Sequence, residues 1–200
     1  MRPDRNFDEL AERFGRRIYG GLKGAIRLAV LWRDLEEVLV KHSDSSSVMQ
    51  IPKLEILDIG CGLAQIARRL AGQGHSVLCN DISAALLEQA QDQVASESNS
   101  GSGTADAGQL RWRHGPYQDL LPSTQQFPLI LSHALIEWLE HPRQMIADCH
   151  TLLEPGGVLS LCFYNCWARD YRNLVRGNFD WLDREEDYLP DSGSLTPDFH

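Results

Sequence analysis

The chain has 200 residues, 42% hydrophobic and 24% charged, which is the balance of one soluble globular domain able to bury a core. A formal net charge of −9 argues against a general nucleic-acid binder. That figure conceals an uneven spread, since residues 1–42 hold nine cations against seven acids while residues 180–200 hold seven acids against Arg184 alone.

Asn6, followed by Phe7, Asp8 and Glu9, has the form of an N-cap with an acid three residues on, and predicts a helix to about Phe14. A break follows at 15–24, and a longer helix over 22–41 carries apolar residues at Ile26, Val30, Leu35, Val38 and Leu39. Arg13, Arg16, Arg17, Tyr19, Lys23 and Arg27 lie around that break, either as a solvated face or as a basic lip over a phosphate or carboxylate. Beyond a polar linker at 43–47, apolar runs alternate with helical segments, the pattern of a parallel sheet. Strands are expected at 54–59, 75–80, 110–113, 129–132 and 158–164, with helices behind Leu63, over 83–94 and over 142–153. The stretch 95–108 is almost wholly Ser, Gly, Ala and acids, and predicts a surface loop. No stretch has the length or polarity of an export signal or membrane span. The five cysteines include no C-x-x-C and read as reduced thiols in a cytoplasmic protein, with no paired spacing for a metal.

The organising stretch is 54–62, Leu-Glu-Ile-Leu-Asp-Ile-Gly-Cys-Gly, a buried strand running into a glycine turn. Such a strand-turn-helix unit is expected to present backbone amides to an anionic or ribose-bearing ligand, and Gly60 and Gly62 can take positive φ there. A dinucleotide fingerprint would need a third small residue where Gln65 stands, which weakens a nicotinamide oxidoreductase reading. Asp58 is placed to order the loop or meet an ammonium group.

Ligands of open parallel sheets lie beyond the carboxyl ends of the strands. That rule gathers Gly60 and Cys61, then Asp81, Tyr117 and Gln118, His133, and Tyr164 with Asn165. Asp81 lies nineteen residues beyond Gly62, a separation that suits a carboxylate accepting from both ribose hydroxyls; capping the next helix is the alternative, which Ser83 could also do. Gln118 could read an adenine edge or be a solvated turn residue. His133 could line the pocket or hold a loop carbonyl.

The D-x-G-x-G turn, the acid ending strand two, the Gln118-Asp119 pair and L-x-P-G-G before strand five resemble the S-adenosylmethionine-dependent methyltransferases with a Rossmann-like sheet. The flanks are similar to a narrower family, the bacterial tRNA 5-carboxymethoxyuridine methyltransferases: Asp4-Arg5-Asn6-Phe7-Asp8, Tyr19-Gly20, Lys23-Gly24, Leu31-Trp32, Glu137-Trp138, Phe163-Tyr164-Asn165 and Gly177-Asn178-Phe179-Asp180. The resemblance implies an α/β domain over 1–200, with a helical N-terminal lid at 1–42, a cofactor-binding core at 54–165 with helices on both faces, and a C-terminal part at 166–200. It also implies S-adenosylmethionine as cofactor, contacted by Arg27, Gly60, Cys61, Asp81, Tyr117, Gln118 and His133. The implied partner is tRNA carrying 5-carboxymethoxyuridine, whose carboxylate would become a methyl ester. Arg16, Arg17, Tyr19 and Tyr164 are candidates for orienting that carboxylate. Cys61 departs from the family's usual glycine, and the 95–108 linker is longer than the family's.

An ionised carboxylate needs no general base to attack a sulfonium methyl, which suits a chain with no visible Ser-His-Asp or Cys-His pairing. The rival readings are methylation of a small acid or lipid, and a shortened, inactive cofactor-binding module. The latter arises because five strands are visible where the resembled fold has seven, so the last two are expected to be missing.

Overall fold

A computed structural model describes Asp8 and residues 21–41, 53–99, 108–164 and 166–179. The described elements are α1 (Gly21–Lys41), β1 (Glu55–Ile59), α2 (Gln65–Gly72), β2 (Ser76–Asp81), α3 (Ala84–Asn99), β3 (Leu110–His114), β4 (Phe127–His133), α4 (Pro142–Leu152), β5 (Leu153–Cys162) and α5 (Cys166–Val175). Single 3-10 turns lie at Tyr117–Leu120 and Ile136–Trp138.

The five strands form one sheet in the order β3-β2-β1-β4-β5, every pair parallel. Strand order reverses between β1 and β4, so their carboxyl ends open the crevice where a ligand would sit. Side-chain alternation along β1 divides the core between the two faces. Ile56 packs on one side with Trp32, Leu35 and Leu39 of α1, Leu70 of α2 and Leu87 of α3. Leu57 and Ile59 pack on the other with Met145, Cys149 and Leu152 of α4. Helices therefore cover both faces of a Rossmann-like sheet, with α1 as an N-terminal helix against it.

Three expectations need correcting. Helix α3 continues to Asn99, so the loop begins later than Ala95; Ala95 and Glu97 keep it helical, and Arg68 of α2 bonds Glu97 at 3.1 Å. The fifth strand starts at Leu153 and ends at Cys162, leaving Tyr164 beyond it, because Phe127 pairs with Leu153 before the register shifts around Pro128 and the Gly156-Gly157 pair. Helix α5 had no counterpart in the reading of 166–200. The helix expected over 6–14, the candidates Arg16, Arg17 and Tyr19, and residues 180–200 lie outside the described residues, Asp8 excepted. Among the described residues the sheet has five strands, with β5 at one edge. No described helix is long and apolar enough to cross a membrane.

Candidate functional site

The glycine turn after β1 is held by β2. Gly60 N and Cys61 N donate to the Asn80 carbonyl at 2.8 and 3.0 Å, and Gly62 N donates to Asp81 Oδ2 at 2.8 Å. Gly60 and Gly62 have φ of 70° and 53°, and a Cβ on Gly60 would stand 2.9 Å from the Leu135 side chain. The left-handed backbone thus turns the first three N–H groups back into the protein, correcting the expectation that they are presented to an anionic or ribose-bearing ligand. The Cys61 side chain, 6% exposed, joins the core beside Cys79, and the hydrogen bond with that neighbouring thiol, then burial, push its pKa well above 9.0.

Asp81 has two structural partners, because its other oxygen accepts from Ser83 N at 2.8 Å. Ser83 Oγ in turn accepts from Leu86 N at 3.2 Å and caps α3. Burial pushes Asp81 upward from 3.8, although the N–H groups of Ser83 and Gly62 pull the other way. Each carboxylate oxygen retains a lone pair for a hydroxyl donor. Asp8 accepts from Ser83 Oγ at 2.7 Å and Ala85 N at 3.1 Å, which puts its carboxylate at the same rim. Below the turn, Asp58 is buried, and that burial, with Asp81 alongside, raises it to about 7.

These residues open on a cleft at the carboxyl ends of the strands. Gly60, Asp81, Tyr117 and Gln118 all line it, with Ile82 and Leu135 as apolar walls. Asn80, missed in the sequence, fixes the far wall by donating from Nδ2 to the carbonyls of Arg113 and Gly115 at 3.2 and 2.9 Å. Tyr117 is buried and donates its hydroxyl to Asp148 of α4 at 3.0 Å, so its ring rather than its oxygen serves the cleft. Gln118 is exposed at the rim. Apolar walls, a left-handed glycine with no Cβ and a carboxylate suit a nucleoside. Donors for a pyrophosphate are not offered by the turn.

Arg27, His133 and Tyr164 gather above the ends of β4 and β5 instead. Arg27 Nη2 donates to the Tyr164 hydroxyl, and the guanidinium carbon lies 5.4 Å from that ring's centroid. His133 Nε2 meets Ser160 Oγ at 2.9 Å, and burial pushes its pKa down to about 4, so the ring is neutral near pH 7. Glu137 belongs to the resemblance motif yet not to the expected site. Burial raises it to about 7, with Arg27 opposing the rise.

A family model described as a methyltransferase domain matches residues 57–161, just over half of the chain. The chain belongs to that family. It is 39% identical over 180 residues to the tRNA 5-carboxymethoxyuridine methyltransferase of Escherichia coli strain K12, covering 90% of this chain and 64% of the relative. It is 31% identical over 107 residues to the malonyl-[acyl-carrier protein] O-methyltransferase of Paenibacillus sp. strain JDR-2, covering 52% and 37%. The chain thus spans less than two thirds of these relatives' own length. Among solved structures, the magnesium protoporphyrin IX methyltransferase of Synechocystis PCC 6803 with bound SAH has a TM-score of 0.59 at 21% identity, covering 93% of this chain and 80% of that one. That likeness shows the Rossmann-like methyltransferase fold.

Proposed function

We propose that this protein is an S-adenosylmethionine-dependent methyltransferase that converts the carboxylate of 5-carboxymethoxyuridine at the tRNA wobble position into its methyl ester, in the cytoplasm. The observation that carries the cofactor reading is the convergence of Gly60, Asp81, Tyr117 and Gln118 on one cleft whose turn amides are already satisfied. The similarity to the E. coli enzyme over most of the chain supports the tRNA substrate. In this reading Asp81 accepts from the ribose hydroxyls, Tyr117 and Gln118 flank the adenine, Gly60 lets the ligand approach the main chain, Cys61 shapes the turn from behind, and Arg27 and His133 stand near the amino-acid end.

When bound, the cofactor supplies a methyl group made electrophilic by its sulfonium. Arg27, Gly60, Asp81, Tyr117, Gln118 and His133 would hold that group, and a carboxylate oxygen of the substrate would take the methyl, leaving a neutral thioether. No proton is moved, since a carboxylate with a pKa near 4 is already ionised. The protein's task is then to orient and to exclude water, and alignment of this kind can contribute about 7 to 11 kcal/mol. Neutral His133 fits such a site, because it neither repels the sulfonium nor competes for the carboxylate.

The test is methyl transfer from labelled cofactor to tRNA rich in 5-carboxymethoxyuridine, with the modified nucleoside identified by mass. Label in the methyl ester of that nucleoside is the expected result. Label appearing only in a small-molecule acid or lipid would overturn the substrate, and no transfer with the cofactor bound would indicate a binding module.

A further inference from the structure

Helix α4 buries a stripe made of Met145, Asp148, Cys149 and Leu152, the i, i+3, i+4, i+7 spacing of a core-facing helix. Three of the four suit that stripe. The fourth is a carboxylate, 8% exposed, at a position where an apolar side chain of similar volume would be neutral or stabilising. Its two oxygens have separate uses. Asp148 Oδ2 accepts from the Tyr117 hydroxyl at 3.0 Å, and Oδ1 accepts from Nε2 of Gln144, one turn earlier in α4, at 2.8 Å. Gln144 thus orients the carboxylate, and the carboxylate holds the phenol.

The group held in this way belongs to the cleft. Tyr117 opens the 3-10 turn after β3, lines the cleft, and shares a core cluster with Met145, Cys149 and Leu152. A phenol tied at its far end to a carboxylate cannot swing about χ1 without breaking one of the stronger kinds of hydrogen bond. Packing against a flexible side chain such as Met145 specifies a ring position less sharply. Asp148 itself lies behind the wall and is not among the cleft-lining residues.

We infer that Asp148 is a positioning residue for the nucleobase wall of the cleft: through the Tyr117 hydroxyl it sets where the Tyr117 ring stands, and so how tightly an adenine nucleoside is bound. The inference rests on the proposed cofactor, whose adenine the Tyr117 ring flanks in that reading. It accounts for a carboxylate in the buried stripe of α4 that packing alone does not call for.

The probe is 5′-methylthioadenosine, the nucleoside part of the cofactor without its amino-acid end, titrated into the full chain by calorimetry, with urea unfolding of each variant in parallel. Asp148→Leu should bind it about fivefold or more weakly than the wild type. Asp148→Asn keeps an acceptor for the Tyr117 hydroxyl and should stay within about twofold. Tyr117→Phe removes the same bond from the other side and should lose about as much as Asp148→Leu, and the double variant should lose no more than either single one. That double variant replaces both buried partners by apolar groups, while exposed Gln144 can turn to water, so its urea midpoint should be at or above that of the wild type. Weaker nucleoside binding in a chain that is no less stable is the mark of a positioning role, because a purely structural role would move the two together. A double variant that binds like the wild type, losses that add, a midpoint that falls with the affinity, or an Asp148→Asn variant as weak as Asp148→Leu overturns the inference. A wild type that binds no 5′-methylthioadenosine overturns the cofactor reading as well.

Discussion

Asp81 is the residue on which scaffold and ligand roles can be separated by measurement. Its carboxylate, 7% exposed, accepts from Gly62 N and Ser83 N, both at 2.8 Å, and so ties the β1 turn to the start of α3. Hydrogen bonds to a charged group contribute about 1.5–3 kcal/mol each. Asp81→Asn keeps one acceptor oxygen and turns an amide NH2 toward the other N–H, so one contact is lost. Removing a buried charge offsets part of that loss, since burial already pushes the Asp81 pKa up. A net cost of about 1–2 kcal/mol remains, which for a chain of this size lowers the thermal midpoint by about 2–8 °C. Asp81→Ala strands both N–H groups and should cost about 2–4 kcal/mol. Urea unfolding of the ligand-free protein reads these values. Calorimetry with 5′-methylthioadenosine, run in parallel, reads the ribose contact as a further loss of about tenfold or more. Unchanged unfolding in Asp81→Ala would refute the energetic argument, and unchanged nucleoside affinity in Asp81→Asn would refute the ribose role.

Asp58, raised from 3.8 to about 7, holds its proton in the folded chain at pH values where the unfolded chain has released it. Stability should therefore fall as pH rises from about 4 to about 7, and Asp58→Asn should flatten the profile in that window when unfolding is followed against pH. The imidazole of His133, pushed down to about 4, should show no titration by NMR between about pH 5.5 and about 8 in the ligand-free protein. Gly60→Ala must hold an L-residue at φ 70° and press on Leu135 at 2.9 Å; it should destabilise by about 1–3 kcal/mol, and Leu135→Ala in the same chain should recover only the steric part.

The sheet was legible because its strands are short apolar runs divided by turn residues, and because the glycine turn and Asp81 punctuate them; Pro155-Gly156-Gly157, expected to precede the fifth strand, lies inside it. What escaped was set by contacts distant in sequence. Asn80 looks like a strand residue until its side chain is seen bonding Arg113 and Gly115 across to β3. Glu137 looks like a solvated acid until burial and Arg27 give it a setting. Helix α5 is the exception: Trp167, Tyr171, Leu174 and Val175 recur at helical spacing, so its apolar stripe was legible in the sequence although those side chains are exposed. The extension of α3 to Asn99 was hidden by its polar composition, which the exposed positions Ala95, Ser96 and Glu97 tolerate.

The glycine turn shows why the same opening letters serve different ligands. A dinucleotide site needs free N–H groups at the start of the helix after β1, because the pyrophosphate must be met there by donors. In this chain Gly60, Cys61 and Gly62 spend theirs on Asn80 and Asp81, and Ala64 N donates to Cys61 O at 2.8 Å. The helix α2 then begins behind a left-handed Ala64 with φ 52° and no side-chain cap. What the turn leaves toward the cleft is a backbone surface without a Cβ at Gly60, flanked by the Asp81 carboxylate. Such a surface attracts positive charge and hydroxyl donors and repels phosphate. A sulfonium nucleoside has both attractive features. The third-position Gln65 disfavours a dinucleotide by its size, and the redirected amides disfavour it by charge, so two independent physical terms point the same way.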